Sequence, residues 1–245
     1  MKKKHSGGVK VLIILFIMGA FAVPFISSCG KTSVNASSQN IQYQVVNLSP
    51  SLGPISLYIN YRIYNNANFY YPRPSGYFYL SSINPPFQIR SSPNQTAGTI
   101  ITVQGNILSM SDTLKPNLRY TLFVTGLLSD SSINRVFLTD TSSAPTTGRG
   151  KVRFLNASPL SGAFDLWAND RLAFSNAKYN IVTPYMELPA GSYNFNVYSQ
   201  GTSTGVIGSE QNVTIQDGRL YTIYSYGVAG HTDSLAFGMG TITNK

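Results

Sequence analysis

Hydrophobic and polar positions alternate in short bursts along most of the chain. In SYNFNVYS (192–199), Tyr193, Phe195 and Val197 stand against Asn194, Asn196 and Tyr198. That period of two predicts a strand with one buried face. TIITVQG (99–105), YTLFVTG (120–126) and NVTIQ (212–216) are further β-rich runs bounded by Gly, Asn, Asp or Pro. LPAGSY (188–193) and IQDGRLY (215–221) carry the Gly turns expected between antiparallel strands. Past the N-terminal segment no window sustains a 3.6-residue apolar period, so few helices are expected. Short strands with turn signals at this spacing predict sandwiches or barrels.

The pattern occurs twice. Residues 45–60 read VVNLSPSLGPISLYIN and residues 154–169 read FLNASPLSGAFDLWAN. Asn47, Ser49, Pro50, Leu57 and Asn60 match Asn156, Ser158, Pro159, Leu166 and Asn169 without a gap, and each copy has a Gly near the turn, Gly53 or Gly162. Downstream, LRYTLFVTG (118–126) is echoed by RLYTIYSYG (219–227). The expected architecture is all-β: two tandem antiparallel β-sandwich domains of immunoglobulin- or transthyretin-like type, 41–148 and 149–245, with DTSSAPTTGRGK (140–151) as linker. Asn-x-Ser-Pro is expected to define the fold, because Asn and Ser side chains bond nearby backbone and Pro ends a strand. Tyr58 and Trp167 fall on the opposite strand face from Leu57 and Leu166, and either pair can be the core pair.

The N-terminus has a different grammar. Lys2, Lys3, Lys4 and Lys10 precede VLIILFIMGAFAVPFI (11–26), an uncharged run too short for a stable span and carrying Pro24. Ile26-Ser27-Ser28-Cys29 follows and holds the single cysteine, which therefore has no disulfide partner within the chain. This segment resembles the lipobox of bacterial lipoproteins of Bacteroidota type. The resemblance implies a signal peptide over 1–28, cleavage before Cys29, and lipid on its sulfur and new N-terminus. Residues 29–40 then form a lipidated, flexible tether, too polar to build a core. An outer-membrane location follows from the resemblance, with periplasmic face and cell surface both open. The tether lacks the acidic cluster that resembles a surface-export signal, which favours the inner leaflet.

The second copy resembles the domain-of-unknown-function family numbered 4397. It carries Val152, Arg153, Asn156, Ala157, Ser158, Pro159, Asp165 and Asn169, then Leu188-Pro189-Ala190-Gly191 and Tyr193, in order. The first copy is weaker: it lacks the Leu-Pro-Ala-Gly turn, has Ser56 in place of Asp165, and reads as carrying an aromatic insertion. The family implies a fold and no activity.

Charge narrows the partners. Four of the 18 basic residues precede Cys29, so the remaining chain carries 14 against 9 acidic residues, a net +5. These are scattered apart from Arg149, Lys151 and Arg153, which argues against a nucleic-acid partner. One histidine beyond the leader, His231, sits beside Asp233 and Ser234 in AGHTDS, too close in sequence for a relay. No clustered ligands suggest a metal or cofactor. A hydrolase using dispersed carboxylates (Asp165, Asp170, Glu187, Glu210) is the catalytic alternative. Asp112-Thr113-Leu114 and Asp233-Ser234-Leu235 resemble an O-glycosylation triplet. The strongest binding candidate is YRIYNNANFYYPRPSGYFYL (61–80), with Tyr61, Tyr64, Phe69, Tyr70, Tyr71, Arg73, Tyr77 and Tyr79 as ligand-contact residues. Its competing role is packing on the sandwich or on the other domain. The expected function is a non-catalytic, membrane-anchored envelope protein that is a binding or structural module for a glycan or an envelope protein; a surface glycan-binding or adhesin-like lipoprotein is the close alternative.

Overall fold

The computed structural model describes residues 40–80, 83–92 and 105–245. The expected signal peptide, Cys29 and nearly all of the expected tether lie outside the described residues, as does most of the strand expected at 99–105. Among the described residues there is no helix, and so none long and apolar enough to cross a membrane.

The first half holds β1 (Gln42–Asn47), β2 (Ile55–Ile59), β3 (Arg62–Ile63), β4 (Phe78–Tyr79), β5 (Phe87–Ser91), β6 (Asn106–Met110), β7 (Arg119–Thr125) and β8 (Asn134–Thr139). The second holds β9 (Arg149–Asn156), β10 (Phe164–Ala168), β11 (Arg171–Ala177), β12 (Met186–Pro189), β13 (Gly191–Ser199), β14 (Gly208–Ile215), β15 (Leu220–Tyr226) and β16 (Gly238–Thr243). Each half forms two four-stranded sheets of the same topology. The orders β4-β1-β7-β8 and β3-β2-β5-β6 recur as β12-β9-β15-β16 and β11-β10-β13-β14. The two-sandwich, all-β expectation therefore holds.

The sheets are mostly antiparallel, but β1 runs parallel to β7 and β9 runs parallel to β15. These parallel-paired strands are covered on both faces. β7 and β15 are buried along almost their whole length, the near-continuous burial of strands covered on both faces. On one face, Tyr43, Val45, Leu122 and Val124 join Leu57, Ile59, Phe87 and Ile89 in the core of the first sandwich. On the other, Val46, Leu48, Phe123 and Val136 meet Leu155, Ala157, Tyr224 and Ile242 of the second. Phe123 and Tyr224 touch there with ring centroids 5.9 Å apart. The second sandwich has its own core of Val152, Phe154, Leu166, Phe195, Val197 and Ile223. The two sandwiches together are thus four sheets deep, with the two parallel-containing sheets inside.

This corrects the linker. Asp140, expected to open the linker, is 2% exposed and belongs to the contact between the sandwiches, while β9 already begins at Arg149. The face question also resolves. Leu57 and Leu166 are fully buried, so Tyr58 and Trp167 lie on the outer faces.

Candidate functional site

Asn-x-Ser-Pro ends β1 and β9 and ties each to its parallel partner. Asn47 Oδ1 accepts the Ser49 backbone N–H at 3.2 Å, and Asn47 Nδ2 donates to Gly53 O at 3.3 Å. Ser49 Oγ donates to Gly126 O, at the end of β7, at 2.7 Å. The second copy repeats all three bonds: Asn156 to Ser158 N at 3.1 Å, Asn156 to Gly162 O at 3.2 Å, and Ser158 Oγ to Gly227 O at 2.6 Å. Gly53 and Gly162 thus occupy the same place in register. Asn47, Ser49, Asn156 and Ser158 are all 0% exposed, and their side chains are spent on these backbone bonds. Pro50 and Pro159 follow the serines in each of these turns.

Where the sandwiches meet, a buried polar node surrounds Asp140. Its carboxylate accepts from Arg153 Nη2, from Thr121 Oγ1 at 2.6 Å and from Tyr77 OH at 2.8 Å. Arg153 Nε donates to Thr222 Oγ1 at 2.8 Å, and its guanidinium lies 4.7 Å from the centroid of the Tyr185 ring. Thr222 Oγ1 donates to Asn244 Oδ1 at 2.7 Å, and Asn244 Nδ2 donates to Tyr77 OH at 3.1 Å, closing the loop. Burial pushes the Asp140 carboxyl above its ordinary range, opposed by Arg153 and the Thr121 and Tyr77 hydroxyls. In the sequence Arg153 stands out as a family motif residue and as part of the Arg149, Lys151, Arg153 cluster. Sequence reasoning missed the node because its members are scattered from Tyr77 to Asn244.

The 61–80 candidates divide. Tyr61, Tyr70 and Tyr79 are 64%, 54% and 61% exposed, and Arg73 is exposed beside them in sequence. Phe69 is 5% exposed and belongs to the first core. Tyr64 stacks on Phe78 at 5.3 Å and donates its hydroxyl to the Tyr79 carbonyl. Tyr71 meets Tyr226 of the second sandwich edge-on at 5.6 Å, and Tyr77 is committed to Asp140. So Tyr64, Phe69, Tyr71 and Tyr77 are packing residues, against the ligand-contact role expected of them. An alternating polar and aromatic pattern cannot separate these groups, because the segment crosses from one sheet to the other without a fixed period. Nor is the segment an insertion. Between the Asn60 turn and Phe78 lies only one residue more than between Asn169 and Met186, the matching points of the second copy.

The catalytic alternatives do not assemble. Asp165 is buried and accepts the backbone N–H groups of Asn176 and Gly201, each at 2.8 Å. Glu187, on β12 at one edge, accepts Thr146 N at 3.2 Å. Glu210 lies on β14 and accepts Thr241 Oγ1 at 2.7 Å, on the side closed by β16. Asp170 is exposed in the β10–β11 turn. The four carboxylates therefore face different surroundings. His231 Nδ1 lies 3.4 Å from Asp233 Oδ1 on an exposed turn, and the Leu235 backbone N–H holds the Asp233 carboxyl below its usual range. Among the described residues no three His, Cys, Asp or Glu side chains gather to hold a metal. Thr113 and Ser234 of the two triplets are exposed.

Topology and register define the class: a tandem pair of eight-stranded sandwiches, each locked by one Asn-x-Ser turn and joined through a shared interior face. The chain belongs to the family described as Domain of unknown function (DUF4397), whose model matches residues 41–166 and 150–239. Comparison with curated proteins finds no match.

Proposed function

We propose that the chain is a non-catalytic lipoprotein of the cell envelope, anchored through lipid on Cys29 and working through a binding surface on its two-sandwich body. The anchor rests on the basic start, the apolar run and Ile26-Ser27-Ser28-Cys29. The observation that carries the binding role is the exposure of Tyr61, Tyr70 and Tyr79 in one crossover, with Arg62 and Arg73 exposed among them. Exposed tyrosines with guanidinium and amide neighbours suit a hydroxyl-rich partner, and this favours a glycan over an apolar protein surface. Residence in the outer membrane follows from the lipobox resemblance.

The test has two parts. Membrane fractionation of cells expressing wild type and Cys29→Ala should place the wild type with membranes and release the variant; equal fractionation refutes the anchor. Protease treatment of intact cells then separates surface display from a periplasmic face. An oligosaccharide screen should give binding that Tyr61→Ala with Tyr79→Ala, or Tyr70→Ala, removes. Unchanged binding in these variants refutes the crossover as the contact surface.

A further inference from the structure

In the second sandwich the edge strands β11 and β12 leave an opening between the sheets. A cavity of about 390 Å³ lies there, lined by Ala168, Leu172, Ala173, Met186, Leu188 and Tyr193, with Arg171 also contributing. The first sandwich shows what such a place holds when it is filled.

The two copies align position for position at this edge. Ile59 pairs with Arg62 and Tyr58 with Ile63 in the first; Ala168 pairs with Arg171 and Trp167 with Leu172 in the second. Phe78 lies opposite Tyr43, and Met186 lies opposite Val152. Counting from these pairs, Ile59 corresponds to Ala168, Tyr64 to Ala173, Phe78 to Met186 and Tyr43 to Val152. In the first copy these side chains fill the slot with rings: Tyr64 on Phe78 at 5.3 Å and Tyr43 against Phe78 at 6.1 Å. Tyr64 also donates its hydroxyl to the carbonyl of Tyr79, the residue that corresponds to Glu187. In the second copy all four side chains are smaller, and Met186 puts a flexible thioether where a rigid ring stood. Tyr193 restores one wall by stacking on Phe195 at 5.9 Å and donating to Pro189 O at 2.9 Å. The space taken by the Tyr64 ring in the first copy is lined in the second by Ala173 and Met186.

We propose that this cavity is a binding site for a small ligand carrying a phenol ring. The ring occupies the position that the Tyr64 ring occupies in the first copy, against Ala173 and the Met186 thioether. Its hydroxyl donates to the Glu187 backbone carbonyl, as that of Tyr64 does to Tyr79. An apolar cavity of about 150 Å³ already admits benzene, so this one has room for a ring and a substituent. Arg171 is exposed and contributes to the lining of the cavity. The site lies in the other sandwich from the exposed tyrosines and stands whether or not they contact a glycan.

The test uses the full-length chain in detergent, with ¹³C-labelled methionine methyls, titrated with p-cresol. Met186 should shift upfield and saturate, while Met110 and Met239 stay in place. Ala173→Tyr, which supplies the first copy's ring, should weaken binding by at least about tenfold (~1.4 kcal/mol). Ala168→Ile is a second filling variant should Ala173→Tyr fail to fold. No shift at Met186, or equal binding in a folded filling variant, overturns the proposal. N-acetyltyrosine amide should bind no tighter than p-cresol. Binding about tenfold tighter would assign the cavity to a tyrosine of a partner polypeptide and overturn the choice of a free ligand.

Discussion

Replacing Arg153 with Met should destabilise the protein by about 3–5 kcal/mol at neutral pH, the range for removing one partner of a buried ion pair. The size follows from what is left behind. The Asp140 side chain is fully buried and that of Arg153 is 6% exposed, so water cannot replace the lost guanidinium. The Thr121 and Tyr77 hydroxyls still donate to the carboxylate, but they carry no charge. Methionine fills much of the same volume beside Tyr185, which limits any cavity contribution. For a domain of this size each kcal/mol moves Tm by roughly 2–4 °C, so the expected fall is about 6–20 °C. The loss should also depend on pH. Burial already holds the folded pKa of Asp140 above its unfolded value, and losing Arg153 raises it further. The fold then prefers the protonated acid, and stability drops as pH rises through the folded pKa. Urea unfolding followed by Trp167 fluorescence, at pH 4 and pH 8, measures both effects. A loss below about 1 kcal/mol, or the same loss at both pH values, would refute the view that Asp140 is an enclosed charge held by Arg153.

Three further outcomes follow from single positions. Gly227 has φ +69°, and a Cβ there would lie 2.1 Å from the Ala236 carbonyl oxygen. Gly227→Ala should therefore cost more than about 2 kcal/mol in urea denaturation. Gly162→Ala meets no atom within 4 Å and should stay within about 0.5 kcal/mol. Burial raises the Glu210 carboxyl pKa, with the Thr241 hydroxyl opposing. A raised folded pKa means stability present at acid pH and lost as pH rises through it. Glu210→Gln keeps an acceptor for Thr241 and should raise Tm at pH 7 while leaving it unchanged near pH 4; a lower Tm at pH 7 contradicts this.

The repeat, the strand class and the Asn-x-Ser-Pro turn were legible in the chain because each is written locally. A period of two, a turn residue at a fixed offset and a side chain bonding its neighbour's backbone need only a few consecutive residues. The same locality misled at Asp140. Its small, polar surroundings read as a linker, yet its partners Arg153, Thr121 and Tyr77 arrive from three other segments. Parallel pairing of β1 with β7 was equally out of reach. It depends on a second sandwich covering the outer face of that sheet, and only the assembled fold provides the cover. The 61–80 aromatics make the division plainest. The sequence by itself determined that eight rings would crowd one segment, 61–80. Which of them became core, which joined the second sandwich and which stayed in water was decided by tertiary contacts. Burial of a ring depends on the surfaces that close over it, and those surfaces come from Tyr43 at one end and Tyr226 at the other.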